Sequence, residues 1–239
     1  MKAIVTGHTH GLGAALAQAL AERGIPVLAL ARGHAQALAD QYPDRVTQFQ
    51  LNLADSSALG AWLASGGLAD FLRGCEHTLL INNAGSVQPI GPMSRQDPLA
   101  VGHTLALNVA APLMLAAAVA RQPGERRILH VSSGAGRSAY SGWSVYCATK
   151  AALDHHARAA ALDAEPGLRI ASVAPGIIDT AMQAEIRATD TQLFPMRERF
   201  VDLKRNGELT APGECAAQLM DYLLSDGFGA DPVVDVRDF

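Results

Sequence analysis

Tyr146 and Lys150 lie four positions apart in a stretch with helical periodicity, so their side chains are expected on one face of a helix. A free tyrosine ionises near pH ~10, but a nearby ammonium favours the phenolate and lowers that pKa. Ser132 and Ser133 directly follow an apolar run and should lie at the end of a strand. Together these groups could pass a proton to a carbonyl oxygen. A Tyr-x-x-x-Lys pair alone is common, and its plain interpretation is structural.

A cluster of glycines follows the first apolar run of the chain. The spacing is G-x-x-x-G-x-G, at Gly7, Gly11 and Gly13, and a helical pattern begins at Leu12. Glycines at such a turn permit close approach of a ligand, and the helix N-terminus offers N–H groups to a pyrophosphate. The position of the cluster favours nucleotide binding over a plain strand-to-helix turn. His8 and His10 could assist a phosphate if protonated, or could simply be exposed.

The residues after the second apolar run indicate which dinucleotide would bind. An acidic residue there would accept the ribose 2′-hydroxyl of NAD, whereas an arginine can take the 2′-phosphate of NADP. Ala31 and Arg32 supply one cation and no carboxylate, and a guanidinium binds phosphate in a bidentate manner. The sequence therefore predicts NADP as the cofactor; the alternative is that Arg32 is a solvated surface residue.

Short apolar runs alternate with helical stretches, and these elements must position the chemistry. The predicted strands are Ala3–Val5, Val27–Leu30, Thr47–Leu51, Thr78–Ile81, Arg127–Val131 and Arg169–Val173. The predicted helices are Leu12–Glu22, Ala35–Gln41, Ser56–Leu63, Val101–Ala120 and Trp143–Ala164. We therefore expect an α/β fold, a Rossmann-type doubly wound parallel sheet with helices on both faces. Ligands bind such sheets beyond the carboxyl ends of the strands.

Composition and charge exclude several functional classes. The chain has 239 residues and a net charge of -4, which argues against a nucleic-acid partner. An apolar content of 49% excludes disorder, and the lack of a linker predicts one domain over residues 1–239. Three widely spaced cysteines, Cys75, Cys147 and Cys215, suit the cytoplasm. We expect no signal peptide, and Leu105–Ala120, shorter than the ~20 residues of a membrane span, should form a deeply buried helix instead.

Taken together, the motifs resemble those of the short-chain dehydrogenase/reductase family over nearly the full chain. The matching pieces occur in family order: Thr6–Gly13, Asn82-Asn83-Ala84-Gly85, Asn108, Ser133, Tyr146 with Lys150, and Pro175-Gly176. Ser133 and Tyr146 are 13 positions apart, as is usual in that family. Each piece alone has a plainer interpretation, such as a turn, a tie between strands or a backbone hydrogen bond. Their joint occurrence in this order favours the family.

The resemblance implies a role for each matching residue. Tyr146 would be the general acid, Ser133 would hold the substrate oxygen, and Lys150 would bind the nicotinamide ribose and lower the tyrosine pKa. Asn108 would anchor a water that links Lys150 to solvent. Residues from five loops would contact the dinucleotide together with Tyr146 and Lys150: Gly7, His10, Gly11, Leu12, Gly13, Arg32, Asn52, Leu53, Asn83, Ala84, Gly85, Pro175, Gly176, Ile178 and Thr180.

Three local features resemble the branch of the family that holds sepiapterin reductases and bacterial benzil reductases. They are Gly142-Trp143 before the tyrosine, Pro89-Ile90-Gly91-Pro92, and the ending Asp235-Val236-Arg237-Asp238. That branch reduces ketones and vicinal dicarbonyls with NADPH. Trp143 could line the substrate pocket or pack against a helix. The polar, irregular stretch 182–210 could be a mobile segment that covers the substrate, or a surface helix pair with no role in closure.

Two residues depart from the family pattern. Asn52 stands where many members carry Asp, and His10 stands where NADP-type members often carry Arg, so the prediction of NADP depends on Arg32. The helices that hold Leu105–Ala120 and Tyr146–Ala164 are rich in small residues and commonly form an interface in the family, so a homodimer or homotetramer is expected. His155 and His156 lack further ligands at suitable spacing, so no metal site is predicted.

The predicted activity is NADPH-dependent reduction of a small-molecule ketone or vicinal dicarbonyl to the alcohol. One alternative is an NAD-dependent alcohol dehydrogenase of the same family, which Ala31 disfavours because it replaces an acidic residue. The other is a non-catalytic NADP-binding sensor. Such a protein should lack Ser133, Tyr146 or Lys150, and all three are present.

Overall fold

The computed structural model describes residues 1–238, which are built around one sheet of seven parallel strands. The strands are β1 (Lys2–Thr6), β2 (Val27–Ala31), β3 (Val46–Gln50), β4 (His77–Asn82), β5 (Glu125–Val131), β6 (Leu168–Ala174) and β7 (Val233–Asp235). Their order across the sheet is β3-β2-β1-β4-β5-β6-β7. The order reverses between β1 and β4, which makes the sheet doubly wound and opens a crevice there. The predicted fold is confirmed; β7 was not among the predicted strands.

Ten α-helices cover the two faces of the sheet in the described part of the chain. They are α1 (Gly11–Glu22), α2 (Gln36–Gln41), α3 (Ser56–Ala64), α4 (Gly67–Leu72), α5 (Pro98–Leu105), α6 (Ala111–Ala120), α7 (Ser144–Leu162), α8 (Ala181–Ala188), α9 (Arg197–Arg205) and α10 (Pro212–Leu224). Leucines of α1 and α10, such as Leu16 and Leu219, fill one core layer. Leu59 of α3 and Leu115 of α6 belong to the other layer. Burial on both faces explains why β2 is apolar throughout.

Three helix predictions need correction. The predicted single helix Val101–Ala120 is α5, a wider π-helical turn at Ala106–Ala110, and α6. The helices α4, α8, α9 and α10 were not predicted. The stretch 182–210 is not irregular, because α8 and α9 each turn apolar side chains inward, Ile186 and Phe200 respectively. A helix pair is therefore the correct description of that stretch.

The expectation of a deeply buried helix at Leu105–Ala120 holds for one face only. The segment Pro98–Ala120 has a mean hydropathy of 1.6 and is long and apolar enough to cross a membrane by length and composition alone. Leu115 and Val119 are fully buried, whereas Leu105 is 44% exposed. Only 39% of the most apolar 18-residue part of this segment is buried. Its outer face is therefore partly exposed.

Candidate active site

A cavity of about 430 Å³ lies at the carboxyl ends of the strands, across the crevice between β1 and β4. It is lined by the loops after β1, β2, β3, β4, β5 and β6. The structure brings together there all but one of the residues singled out from the sequence: Gly7, His10, Gly11, Leu12, Gly13, Arg32, Asn52, Leu53, Asn83, Ala84, Gly85, Ser133, Tyr146, Lys150, Pro175, Gly176, Ile178 and Thr180. The exception is Asn108, which lies behind the cavity wall and is not part of its lining.

The glycine turn is closed by direct backbone contact. A Cβ on Gly13 would overlap the Gly7 carbonyl oxygen and the Asn83 amide nitrogen, so this position accepts only glycine. The Asn83 amide donates to the carbonyls of Thr6 and Gly7 at 2.9 and 3.3 Å. The backbone N–H groups of Asn83 and Ala84 donate to the Thr6 hydroxyl. These bonds hold the loops after β1 and β4 together, which is the strand tie that the sequence offered as the plainer interpretation.

The two histidines of this loop have different environments. His10 is exposed and stands at the N-terminus of α1. His8 is fully buried, and its Nε2 lies 2.7 Å from the Gln48 side-chain oxygen. Burial lowers the pKa of His8 below its usual value. His8 is therefore not the exposed residue that one interpretation expected, and it is not part of the cavity lining, where a phosphate partner would have to lie.

The reacting groups predicted from the sequence meet at the inner end of the cavity. Tyr146 and Lys150 are both buried on α7, and the Lys150 Nζ lies 5.6 Å from the centroid of the tyrosine ring. The ammonium donates to the Val131 carbonyl at 2.7 Å, which fixes it against the end of β5. Ser133 caps a short 3₁₀ turn through a bond from the Ala135 N–H, and its hydroxyl acts to lower the pKa of Tyr146.

Burial controls the acidity of both groups. Desolvation raises the pKa of Tyr146 to about 12, with the Ser133 hydrogen bond acting in the opposite direction. The expectation of a lowered tyrosine pKa is therefore wrong for this structure. Desolvation likewise lowers the pKa of Lys150 to about 8. At neutral pH the phenol holds its proton firmly and the lysine is still mostly charged.

Asn108 occupies the π-helical turn and uses its side chain for structural bonds. Its oxygen accepts from the Ser86 N–H at 2.9 Å, and its nitrogen donates to the Ser86 carbonyl at 2.8 Å. The nitrogen also donates to the Thr149 hydroxyl at 3.2 Å. The bond to the Ser86 carbonyl confirms the plainer interpretation, in which a buried asparagine satisfies a backbone carbonyl. Its role in a water relay stays a prediction.

Aromatic side chains build the outer end of the cavity. Trp143 lines it and also stacks on Phe194 with ring centroids 4.5 Å apart. The contact of Trp143 with Phe200 confirms that it packs against a helix, and its place in a substrate pocket stays a prediction. Phe200 of α9 and Tyr140 pack against the same indole at 5.4 and 5.5 Å. The pair α8 and α9 also contributes further lining: Met182, Gln183, Ile186, Arg199 and Phe200.

Sequence reasoning singled out Asp235 and Arg237 only as part of the ending that resembles one branch of the family, whereas the structure places both in the cavity lining. Asp235 at the end of β7 is buried, and Arg237 binds its carboxylate through two bonds of 2.8 and 2.6 Å. These bonds lower the pKa of Asp235. An acid directly after the apolar pair Val233-Val234 was the available signal, since it marks the end of a short strand.

A contact between the buried His130 and the half-buried His156 was also missed. The His130 Nε2 lies 3.1 Å from the His156 Nδ1, and the other nitrogen of His130 lies 3.1 Å from the Asn82 amide. Burial lowers the pKa of His130 to about 3. Both His155 and His156 were expected at solvent or at an interface; His155 is exposed, and His156 is partly exposed while it contacts His130. Within residues 1–238 no group of three or more His, Cys, Asp or Glu could hold a metal.

Three features define the class of this protein, the Rossmann-type oxidoreductases. They are a doubly wound parallel sheet, a glycine turn before the first helix and a Tyr–Lys pair at the strand ends. Comparison with known proteins identifies the family within that class. A short chain dehydrogenase family model matches residues 1–191, and the chain belongs to the short-chain dehydrogenase/reductase family.

The similar proteins place the chain in one branch of that family. It is 31% identical to a benzil reductase ((S)-benzoin forming) of Bacillus cereus, over 98% of each chain. It is 32% identical to the sepiapterin reductase of Meriones unguiculatus, over 98% of this chain and 95% of that one. The branch suggested by the sequence is therefore confirmed.

Solved structures agree with this family. A short-chain dehydrogenase/reductase from Burkholderia vietnamiensis shares 50% sequence identity and superposes with a TM-score of 0.73, covering 100% of this chain and 97% of that one. A short chain dehydrogenase from Burkholderia cenocepacia J2315 in complex with NADP is 27% identical, with a TM-score of 0.80, covering 98% of this chain and 94% of that one.

Proposed function

We propose that this protein reduces a ketone or vicinal dicarbonyl to the alcohol with NADPH. The observation that carries the proposal is that Ser133 and the buried Tyr146 and Lys150 line the same cavity as the glycine turn. The names of its benzil and sepiapterin reductase relatives support carbonyl reduction. The NADP bound by the Burkholderia cenocepacia structure supports the choice of cofactor class.

The residues of the cavity fit a nicotinamide dinucleotide. The glycine turn leaves no side chain between the cavity and the N-terminus of α1, where N–H groups and the helix dipole favour a pyrophosphate. Arg32 lines the cavity with an exposed guanidinium beside Ala31, as a 2′-phosphate requires. Asn52 and Leu53 would flank the adenine, and Ile178 and Thr180 would hold the carboxamide and phosphates.

The chemistry of this chain is proton transfer and orientation of the substrate. A bound reduced nicotinamide supplies the hydride. Tyr146 keeps its proton at neutral pH, because its pKa is about 12, and donates it to the carbonyl oxygen. The hydroxyls of Ser133 and Tyr146 hold that oxygen as negative charge develops on it. Because the phenol is protonated at neutral pH, it is in the form that can donate a proton to a carbonyl oxygen. The alternative of an NAD-dependent alcohol dehydrogenase is disfavoured by Ala31, which stands where an acidic residue would bind the ribose of NAD.

The shape of the outer cavity supports an aromatic or branched apolar substrate. Trp143, Phe194 and Phe200 form a packed aromatic cluster, and Trp143 and Phe200 face the cavity. Helices α8 and α9 would cover the substrate from this side. A screen of NADPH oxidation against diketones, pterins, quinones and β-keto esters would identify the compound class.

The replacement Tyr146→Phe tests the proposal, with Tyr42→Phe as its control. Tyr42 bonds the exposed Glu22 at 3.1 Å and does not line the cavity. Tyr146→Phe should bind NADPH nearly as the wild type does and should lose at least ~10²-fold in turnover of the best diketone. Tyr42→Phe should keep its turnover. Full activity in Tyr146→Phe would reject the proposal, and NADPH binding without any turnover in the wild type would favour the sensor alternative.

The proposal extends to the assembly and location of the protein. The helices that hold Leu105–Ala120 and Tyr146–Ala164 are offered as the interface of a homodimer or homotetramer, and the exposed Leu105 lies on the first of them. A cytoplasmic location is proposed because Cys75, Cys147 and Cys215 are free thiols. The expected partner is a small carbonyl compound, with no role for nucleic acid or membrane.

A further inference from the structure

A buried carboxylate lies directly behind the reacting groups. Asp154 follows Lys150 by four residues and Tyr146 by eight, so all three share one face of α7. Only 1% of Asp154 is exposed. Its Oδ1 accepts short hydrogen bonds from the hydroxyls of Ser132, at 2.6 Å, and Ser172, at 2.7 Å. A buried carboxylate is costly unless such partners stabilise its charged form.

The surroundings of Asp154 connect it to the loop that carries Ser133. Ser132 precedes that residue, and its hydroxyl is the donor of the shorter bond. A Cβ on Gly136, at the end of the same loop, would lie 2.7 Å from the Asp154 Oδ2 and 3.0 Å from the Lys150 backbone. Glycine at this position therefore lets the loop pack directly against the turn of α7 between Lys150 and Asp154.

The titratable groups near Lys150 lie on α7 and on three other parts of the chain. Tyr146 and Asp154 are on α7 with it, and the neutral His130 is on β5. Arg137 follows the 3₁₀ turn and places its Nε 3.5 Å from the Asp154 Oδ2. Its Nη1 lies 3.9 Å from Asp235 of β7, whose carboxylate Arg237 neutralises.

Asp154 is the negative charge that acts in favour of the lysine ammonium. Burial lowers the pKa of Lys150, and Asp154 is the group that raises it. Without that carboxylate the lysine would be less charged at neutral pH. The effect is shared with Arg137, which lies beside the same carboxylate and opposes it.

From this geometry we propose that Asp154 is a positioning residue of the catalytic centre, which holds the loop of Ser133 against α7 and places a buried carboxylate one helical turn from Lys150. The inference rests on the proposed function for its consequence in catalysis. Its physical claim, the coupling of Asp154 to Lys150, does not need any activity. Nothing in the family resemblance or in the relatives described above assigns a role to this residue.

The test is a direct titration of Lys150 by NMR in the full-length protein. The chain has lysines only at positions 2, 150 and 204, so a sample labelled with carbon-13 at the lysine ε-carbon gives few signals, and Lys150→Met assigns one of them. In Asp154→Asn the titration midpoint of Lys150 should fall by about one pH unit, as loss of a nearby opposite charge predicts. The signals of Lys2 and Lys204 should titrate unchanged.

Two further variants separate charge from structure. Ser172→Ala removes one hydrogen bond but keeps the carboxylate, so its Lys150 midpoint should stay within about 0.3 pH unit of the wild-type value. Arg137→Gln removes the opposing cation from a partly exposed position, so its midpoint should rise, even if Asp154→Asn does not fold. An unchanged midpoint in folded Asp154→Asn, or a fall in Arg137→Gln, would overturn the proposal.

Activity measurements then address catalysis separately. The high-pH limit of turnover in Asp154→Asn should move down together with the Lys150 midpoint. A shifted midpoint with no turnover of any carbonyl compound in the wild type would reject the proposed function and leave the coupling intact. A shifted midpoint with an unmoved pH profile would show that the carboxylate has no part in catalysis, which would overturn its role as a positioning residue.

Discussion

Replacement of Gly13 by alanine should damage both stability and cofactor binding. The added Cβ would lie more than about 1 Å inside ordinary contact distance of the Gly7 carbonyl oxygen and the Asn83 amide. Relief of that overlap must separate the loops after β1 and β4, which strains the two Asn83 bonds. Overpacking of this kind costs about 1–3 kcal/mol and each of the two weakened bonds about 1 kcal/mol, so we expect a loss of about 3–5 kcal/mol.

Gly102→Ala is the matched control, because it adds the same methyl group to another helix. Gly102 is exposed on α5, and a Cβ there would meet nothing within 4 Å. It should stabilise the protein by roughly 0.5–1 kcal/mol. Urea unfolding would measure both variants, and calorimetry with NADPH would show at least about tenfold weaker binding for Gly13→Ala. If Gly13→Ala unfolds like Gly102→Ala and binds NADPH as the wild type does, the tight-turn argument is wrong.

Three further results are expected. Arg32→Ala should raise the KM for NADPH far more than that for NADH, measured beside the surface control Arg45→Ala, and equal effects would refute the 2′-phosphate assignment. Because burial lowers the pKa of His130 to about 3, its unfolded form binds a proton that the folded form does not. Between pH 6.5 and pH 5 the unfolding free energy should fall by roughly 2 kcal/mol through this group, and in His130→Gln that part of the loss should vanish. Leu105→Glu should shift light-scattering mass toward the monomer; an unchanged mass would move the proposed interface elsewhere.

The sheet and the position of the site could be predicted because they follow from local patterns. Strands buried on both faces are apolar throughout, as in β2, and such runs stand out in a sequence. The close contact between Gly13 and Gly7 in the turn after β1 requires glycine. The glycine spacing therefore makes this turn recognisable in the sequence. The family motifs then fix which loops face the cavity.

The missed elements share a physical cause. Strand β7 has only three residues, Val233–Asp235, and is defined by its pairing with β6 and not by its own pattern. The sequences of α8 and α9 are mostly polar because each helix buries only a few apolar side chains. Those side chains, such as Ile186 and Phe200, are recognised only when the structure places them in one cluster with Trp143. Tertiary contacts outweigh local propensity at these positions.

The pKa of Tyr146 could not be predicted from the sequence. The Tyr-x-x-x-Lys spacing correctly places two side chains on one helix face, but it cannot say how deeply they are buried, and burial reverses the expected direction of the tyrosine pKa. The same applies to Asp154 and Asp163, which look alike in a helical pattern. Asp163 ends α7 in solvent, whereas Asp154 lies among Ser132, Ser172 and Arg137. Packing is what distinguishes the solvated Asp163 from the buried Asp154, which can favour the charged form of Lys150. The surroundings that determine the pKa of Tyr146 could therefore be identified only from the three-dimensional structure.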